Sequence, residues 1–303
     1  MLIKYQNFRF RKGTEALMFQ AQEILKDYRR QGYVLTVRQL YYQFVSKDLL
    51  ENNEKNYKML ISTITKARLA GLISWHAIED RNRGAVTYRS EESEENVLSG
   101  IEYGLSYDHW ARQEHYVEVW VEKDALSSVI EKPCGKYGVP YLACKGYLSA
   151  SEMWRAGQRF EKAIEDGKKC VIIHLGDHDP SGLDMTRDNQ ERMNLFTQNM
   201  GVDLRRIALN IDQIEQYAPP PNPAKVTDSR SVDYIKQYGN KSWELDALEP
   251  KVIDALITKE IKGMIDQDRW DMVTEMQTEG RQYLEALGDN WGEIREHIGD
   301  KFL

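Results

Sequence analysis

Near the start of the chain, apolar positions recur at helical spacing. Leu17, Met18, Ala21, Ile24 and Leu25 share one side of a segment from Thr14 to Arg30, which predicts an amphipathic helix with one buried stripe, ended by Gly32. Thr36 suits the N-cap of a second helix, Val37 to Val45. Asn56 to Ala70 reads as a third, closed by Gly71, and Leu72-Ile73-Ser74-Trp75 reads as a short strand after it. Beyond residue 113 the period changes. His115 to Val121 is a strand-like run ending at Glu122-Lys123-Asp124, followed by a helix from Ala125 to Tyr137 and a strand from Val139 to Cys144. Ser149 or Ser151 can cap a helix running to about Asp166, and Cys170 to Leu175 is an apolar, β-branched strand that stops at Gly176. Strand and helix in alternation predict an α/β class with a parallel sheet and right-handed crossovers. An extended crossing from Pro219 to Pro223 follows, continuing through Lys225-Val226-Thr227-Asp228-Ser229-Arg230. Charged amphipathic helices over Val252 to Leu287 and Trp291 to Ile298 then suit packing on the sheet or a dimer surface.

Charge divides this pattern in two. The net charge of −7 argues against a nucleic-acid partner until it is split along the chain: residues 1 to 90 carry a balance of +8 and the remainder −15. A basic module joined to an acidic one is what a DNA-gripping domain attached to a metal-binding domain looks like. At 303 residues the chain accommodates both, with domains expected over 1–112 and 113–303. Three helices and a β element in a compact basic segment match a helix-turn-helix or winged-helix unit binding double-stranded DNA. Lys66 and Arg68 in the third helix, and Arg81 and Arg83 in Glu79-Asp80-Arg81-Asn82-Arg83, are candidate backbone contacts, although a solvated charged turn explains the second pair equally well. Glu91-Glu92-Ser93-Glu94-Glu95 would be repelled by DNA and belongs outside the contact surface. No apolar run approaches a membrane span, and the N-terminus has no signal-peptide core. Cys134, Cys144 and Cys170 lack metal-ligand spacing, so they read as buried thiols in a reducing cytoplasm.

The candidate chemistry is acidic. Along an extended segment Asp177 and Asp179 point one way and His178 the other. Two adjacent carboxylates repel unless a cation lies between them, and a hard divalent ion is the usual solution; a polar turn with a helix N-cap is the alternative. Glu122 also ends a strand, and parallel sheets bind ligands at the carboxyl ends of their strands. Glu122, Asp177 and Asp179 are therefore the candidate ligands for Mg2+, or Mn2+ in its place. In Arg38-Gln39-Leu40-Tyr41-Tyr42 the tyrosine pair has an ordinary packing role. Tyr42 becomes a nucleophile only if something favours its phenolate, and Arg38, one turn upstream, is placed to do that or to hold a phosphate.

Val121-Glu122-Lys123 together with Gly176-Asp177-His178-Asp179-Pro180-Ser181-Gly182 resembles the Toprim domain, and the wording is most similar to the family of the topoisomerase VI A subunit and its meiotic double-strand-break relative. Arg38 to Tyr42 is similar to that family's Arg-x-x-Tyr-Tyr element, in the same order along the chain. The resemblance covers roughly residues 30 to 215. It implies a winged-helix domain before a Toprim domain, a homodimer, and Tyr42 as the nucleophile forming a 5′-phosphotyrosyl end, with Arg38 assisting and Arg38 and Lys123 contacting DNA. It also implies Mg2+ on Glu122, Asp177 and Asp179. His178 stands where the family has a small residue. The chain has no P-loop, so strand passage would need a separate ATPase subunit. The short form equally resembles the Toprim nuclease of the Wadjet plasmid-defence system, in which the metal site cuts DNA and Tyr42 would be structural. A DNA-binding regulator without catalysis is the third reading. Glu244 and Asp246 in Trp243-Glu244-Leu245-Asp246-Ala247-Leu248 would add to the metal site or cap the helix near Pro250, with capping preferred.

Overall fold

The computed structural model describes residues 2–79, 93–223 and 230–302. In chain order it forms α1 (Lys12–Arg30), α2 (Val37–Ser46), α3 (Glu54–Leu69), α4 (Glu94–Gly104), β1 (His115–Val121), α5 (Ser127–Tyr137), β2 (Tyr141–Ala143), α6 (Ala150–Glu165) and β3 (Lys169–Leu175). There follow α7 (Pro180–Phe196), β4 (Val202–Ala208), α8 (Ile211–Tyr217), β5 (Asn222–Pro223), α9 (Ser231–Tyr238), β6 (Lys241–Ser242), α10 (Pro250–Lys262), α11 (Gln267–Asp289) and α12 (Trp291–Phe302). The described residues before 80 pack with Tyr116–Gly263 as one compact unit, and residues 93–115 with 264–302 form another.

In the first unit the N-terminal helices share a core. Leu17, Met18, Ala21, Ile24 and Leu25 of α1 meet Leu40 and Phe44 of α2 and Leu60, Ile64 and Ala67 of α3. The entry of α2 is fixed by a reciprocal cap: Thr36 Oγ1 accepts from Gln39 N while Gln39 Oε1 accepts from Thr36 N at 2.8 Å. Gly71 ends α3 at φ +70°, and a Cβ there would lie 3.0 Å from the Ile3 backbone, so the turn requires glycine on both counts.

The segment after α3 differs from the expected strand. The amide groups of Leu72 and Ile73 are taken by Ala67 O in the turn that closes α3, which leaves them unable to enter a ladder. Arg68 then folds the chain back, donating to Trp75 O at 2.9 Å and stacking 4.5 Å from the Trp75 ring centre. Trp75–Ala77 forms a 3-10 turn, and one parallel bridge, Leu35 to Ile78, is the β contact there.

The sheet has four parallel strands in the order β2-β1-β3-β4. Its central strands are buried on both faces, as their continuous apolar runs require. Glu118 is the exception on β1. It is fully enclosed and held by Arg159 Nε and Nη2 at 2.7 and 2.9 Å, with Tyr116 and Trp120 donating as well. From β1 the chain steps outward to β2, then crosses back over β1 to β3 and onward to β4, so the direction of winding reverses between β1 and β3. In such sheets the crevice at this reversal, outside the carboxyl ends of the strands, is where a ligand fits. All three cysteines are buried and unpaired, and burial pushes each thiol well up, Cys170 to about 11.

His174 on β3 is wholly enclosed, with Nδ1 at 3.1 Å from Thr186 Oγ1. Burial, with Arg206 nearby, pushes its imidazole down to about 3. An imidazole normally titrates near 6.5, so this one adds stability that is complete above that pH and is lost as pH falls toward the folded value. His174→Gln should therefore flatten the loss of melting temperature on acidification relative to the native chain. Equal slopes for the two proteins would contradict the assignment.

In the second unit α4 packs along α11, and Trp270 of α11 contacts the rings of His109 and Trp110, the nearer with centres 4.4 Å apart. Among the described residues no helix is long and apolar enough to cross a membrane.

Candidate active site

The crevice at the reversal opens into a cavity of about 830 Å3 lined by Glu122, Lys123, Asp177 and Asp179 from the sheet side and by Arg38, Tyr41 and Tyr42 of α2. Asn222 and Glu244, from later in the chain, also line it. All these residues lie in one compact unit of a single chain. Tyr42 thus shares a cavity with the carboxylates of its own chain.

Chain geometry explains how the acids meet. β1 and β3 are neighbours, and Glu122 N bonds to Leu175 O at 2.9 Å, so the residues that follow both strands leave the sheet side by side. Glu122 Oε2 accepts from Asp177 N at 2.8 Å. Asp179 is the N-cap of α7, its Oδ1 accepting from Gly182 N at 2.7 Å. The cap and the cavity wall are thus one residue, and the bond occupies one of its two carboxylate oxygens. Gly182 is indispensable here: a Cβ would fall 2.2 Å from Asp177 O and 3.0 Å from Glu122 Oε2. Arg206 of β4 holds the loop from beneath, donating to Gly176 O, Asp177 O and Gly182 O at 3.0, 2.6 and 3.1 Å.

Asp177 is turned toward a second cluster. Its Oδ1 accepts from Leu245 N at 2.8 Å and its Oδ2 pairs with Lys123 Nζ at 2.9 Å. Lys123 also meets Glu244 Oε2 at 2.9 Å and Asp246 Oδ1 at 3.0 Å. Arg38 bonds to the same Glu244 oxygen, and its Nε lies 2.9 Å from Asp246 Oδ2. That last contact is an ion pair without hydrogen-bond alignment, since both atoms are buried with no hydrogen-bond partner. Glu244 and Asp246 therefore do not cap the following helix, against the expectation: Glu249 is the N-cap of α10 and makes no side-chain cap bond. Lys123 therefore lines the cavity with its ammonium group on this cluster.

Burial and pairing set the protonation behaviour. Burial pushes the Glu122 carboxyl up, and Asp179 adds to it, against the opposing Asp177 amide and Lys123. Asp177 and Asp246 are pushed up by burial against the pull of Lys123. Burial works the same way on Glu244, but Lys123 and Arg38 outweigh it and hold that carboxyl at about 2. Tyr42 is raised by burial, then by Asp246 and Glu244, and the opposing effects of Asn222 and Arg38 are smaller. Arg38, expected to favour the phenolate, spends its charge on the two acids.

Other candidates are distributed differently. Lys66 is exposed on α3, whereas Arg68 is buried against Trp75. Arg81 and Arg83, Glu91 and Glu92, and Lys225 to Ser229 lie outside the described residues. His178 points away from the cavity into a pocket of Tyr234, Tyr238 and Trp243, with Nδ1 3.0 Å from Tyr234 Oη. Sequence reasoning missed Arg206 and Asn222. No family model, curated protein or solved structure matches the chain.

The fit to a divalent ion rests on the donors. Among the described residues no three Asp, Glu, His or Cys side chains are gathered closely enough to hold an ion as they stand. Both oxygens of Asp177 are engaged, one by Lys123 and one by Leu245 N. Glu122 and Asp179 remain close to one another around Gly182, and among the described residues neither is ion-paired to a lysine or arginine. Mg2+ is commonly held by one or two carboxylates, water and substrate phosphate, and these two fit that demand.

Proposed function

We propose that the chain is a Mg2+-dependent enzyme that cleaves the backbone of double-stranded DNA by hydrolysis. The observation that carries this reading is the meeting of Glu122 and Asp179 at the winding reversal between β1 and β3, in one cavity with Asp177. Glu122 and Asp179 would hold the ion, with Asp177 joining when it leaves Lys123. Bound there, Mg2+ would offset the charge that builds on the scissile phosphate and its leaving oxygen. Arg206 keeps the acidic loop in place, Gly182 leaves room for the Glu122 carboxylate, and Lys66 offers an exposed contact for the DNA backbone. The net positive charge of residues 1–90 suits the same partner. A homodimer and a separate ATPase subunit belong to the resemblance and are part of this proposal only through it.

Water is the preferred nucleophile because Tyr42 is buried beside two acids that disfavour its phenolate. The second reading, attack by Tyr42, is favoured by its place in the same cavity. Supercoiled plasmid incubated with the chain and Mg2+, then run on denaturing gels, separates them. Hydrolysis predicts that Tyr42→Phe still nicks or linearises DNA and that no protein remains on the ends. Loss of both cleavage and a protein-DNA adduct in Tyr42→Phe would establish the tyrosine route. Absence of Mg2+-dependent cutting in the native chain would overturn both.

A further inference from the structure

We infer that Arg38 and Lys123 form a subsite for one backbone phosphate of DNA, and that Glu244 occupies that subsite in this structure; the inference rests on the nucleic-acid reading above. The two cations come from distant parts of the chain, α2 and the turn after β1, yet converge on a single oxygen, Glu244 Oε2. A guanidinium fork and an ammonium meeting at one anionic oxygen are the donor set that a phosphate attracts. Both line the cavity that holds Glu122 and Asp179.

The two acids on these cations are not equivalent. Asp246 has no exposed side-chain surface and sits in a 3-10 turn, Leu245–Ala247, whose residues are all buried. It is a fixed anchor that orients Arg38 and Lys123. The Glu244 side chain is 23 % exposed and lines the cavity, and its other oxygen has one long contact, from Asn222 Nδ2 at 3.4 Å. Arg38 is 40 % exposed, and its Nε lacks an aligned acceptor. A phosphate entering the cavity can therefore replace Glu244 on both cations and leave Asp246 where it is, while the released carboxylate moves toward solvent.

Competition of this kind has a measurable signature. Affinity for a short duplex is measured by fluorescence anisotropy in EDTA, so that metal and cleavage play no part. Glu244→Gln should tighten binding on the order of tenfold, and its affinity should fall more steeply with salt, by about one further unit of slope for the added phosphate contact. Removing a negative charge anywhere nearby would also tighten binding, so the deciding arm is a double-mutant cycle. In an Arg38→Gln background the gain from Glu244→Gln should shrink severalfold, and Arg38→Met serves if that variant does not fold. Unchanged affinity in Glu244→Gln, or the same gain with and without Arg38, overturns the subsite while leaving cleavage intact. A cycle that behaves as expected in a chain that cuts nothing with Mg2+ upholds the subsite and removes the cleavage reading. A native chain that binds no duplex overturns both.

Discussion

Glu122→Gln is expected to cut Mg2+-dependent cleavage on the order of 100-fold or more while making the metal-free protein melt at a higher temperature. The two effects share one cause. Glu122 is half-buried near Asp179, and the burial pushes its carboxyl up, which means that the ionised form is disfavoured in the folded chain. An uncharged amide relieves that cost, and its oxygen can still accept from the Asp177 amide. It also removes the charge that a divalent ion needs, so added Mg2+ should raise the melting temperature of the native chain and leave the variant unchanged. Thermal melts with EDTA and with Mg2+, beside a plasmid assay, check both halves. A variant less stable than the native chain without metal, or one that cuts at the native rate, would remove Glu122 from the metal site. Active sites commonly trade stability for function in this way.

Lys123→Met is expected to cost about 3–5 kcal/mol of stability. Lys123 Nζ lies within 3.0 Å of Asp177, Glu244 and Asp246. Methionine fills much of the volume and leaves buried carboxylates with Arg38 as their remaining cation. The sign of the pH dependence distinguishes this from a packing defect. Without Lys123 the Asp177 and Asp246 carboxyls, already raised by burial, lose an opposing influence and bind protons more readily folded than unfolded. The variant should therefore recover part of its deficit as pH is lowered from neutral into the mildly acidic range. Denaturant melts across that range provide the test, and a deficit independent of pH would place the loss in packing instead.

The acidic pocket was legible because of how its strands end. His115 to Val121 and Cys170 to Leu175 are apolar runs cut off by a glutamate and by glycine, and the rules of parallel sheets put both ends at one edge. The helices of residues 12–69 were legible from periodicity and from caps at Thr36 and Gly71. The strand expected at Leu72 failed because hydrophobicity does not reveal where amide groups are already committed, here to Ala67 O. β4 was missed because Arg205-Arg206 interrupts its pattern: one arginine reaches Asp203 and the other the loop after β3. Pairing of Arg38 with Glu244 spans 206 positions, and local spacing carries no information about contacts at that range. Expecting Glu244 and Asp246 to cap a helix followed from the same limit, since their partners lie in α2 and after β1.

The ends of the sheet carry a further implication. β2 contributes three residues to one border, and β4 at the other border displays the ion pair of Asp203 and Arg205. A short margin and a charged one each make a poor template for annealing with another chain. Crowded or partly unfolded molecules are thus steered away from growing into ordered aggregates through this sheet.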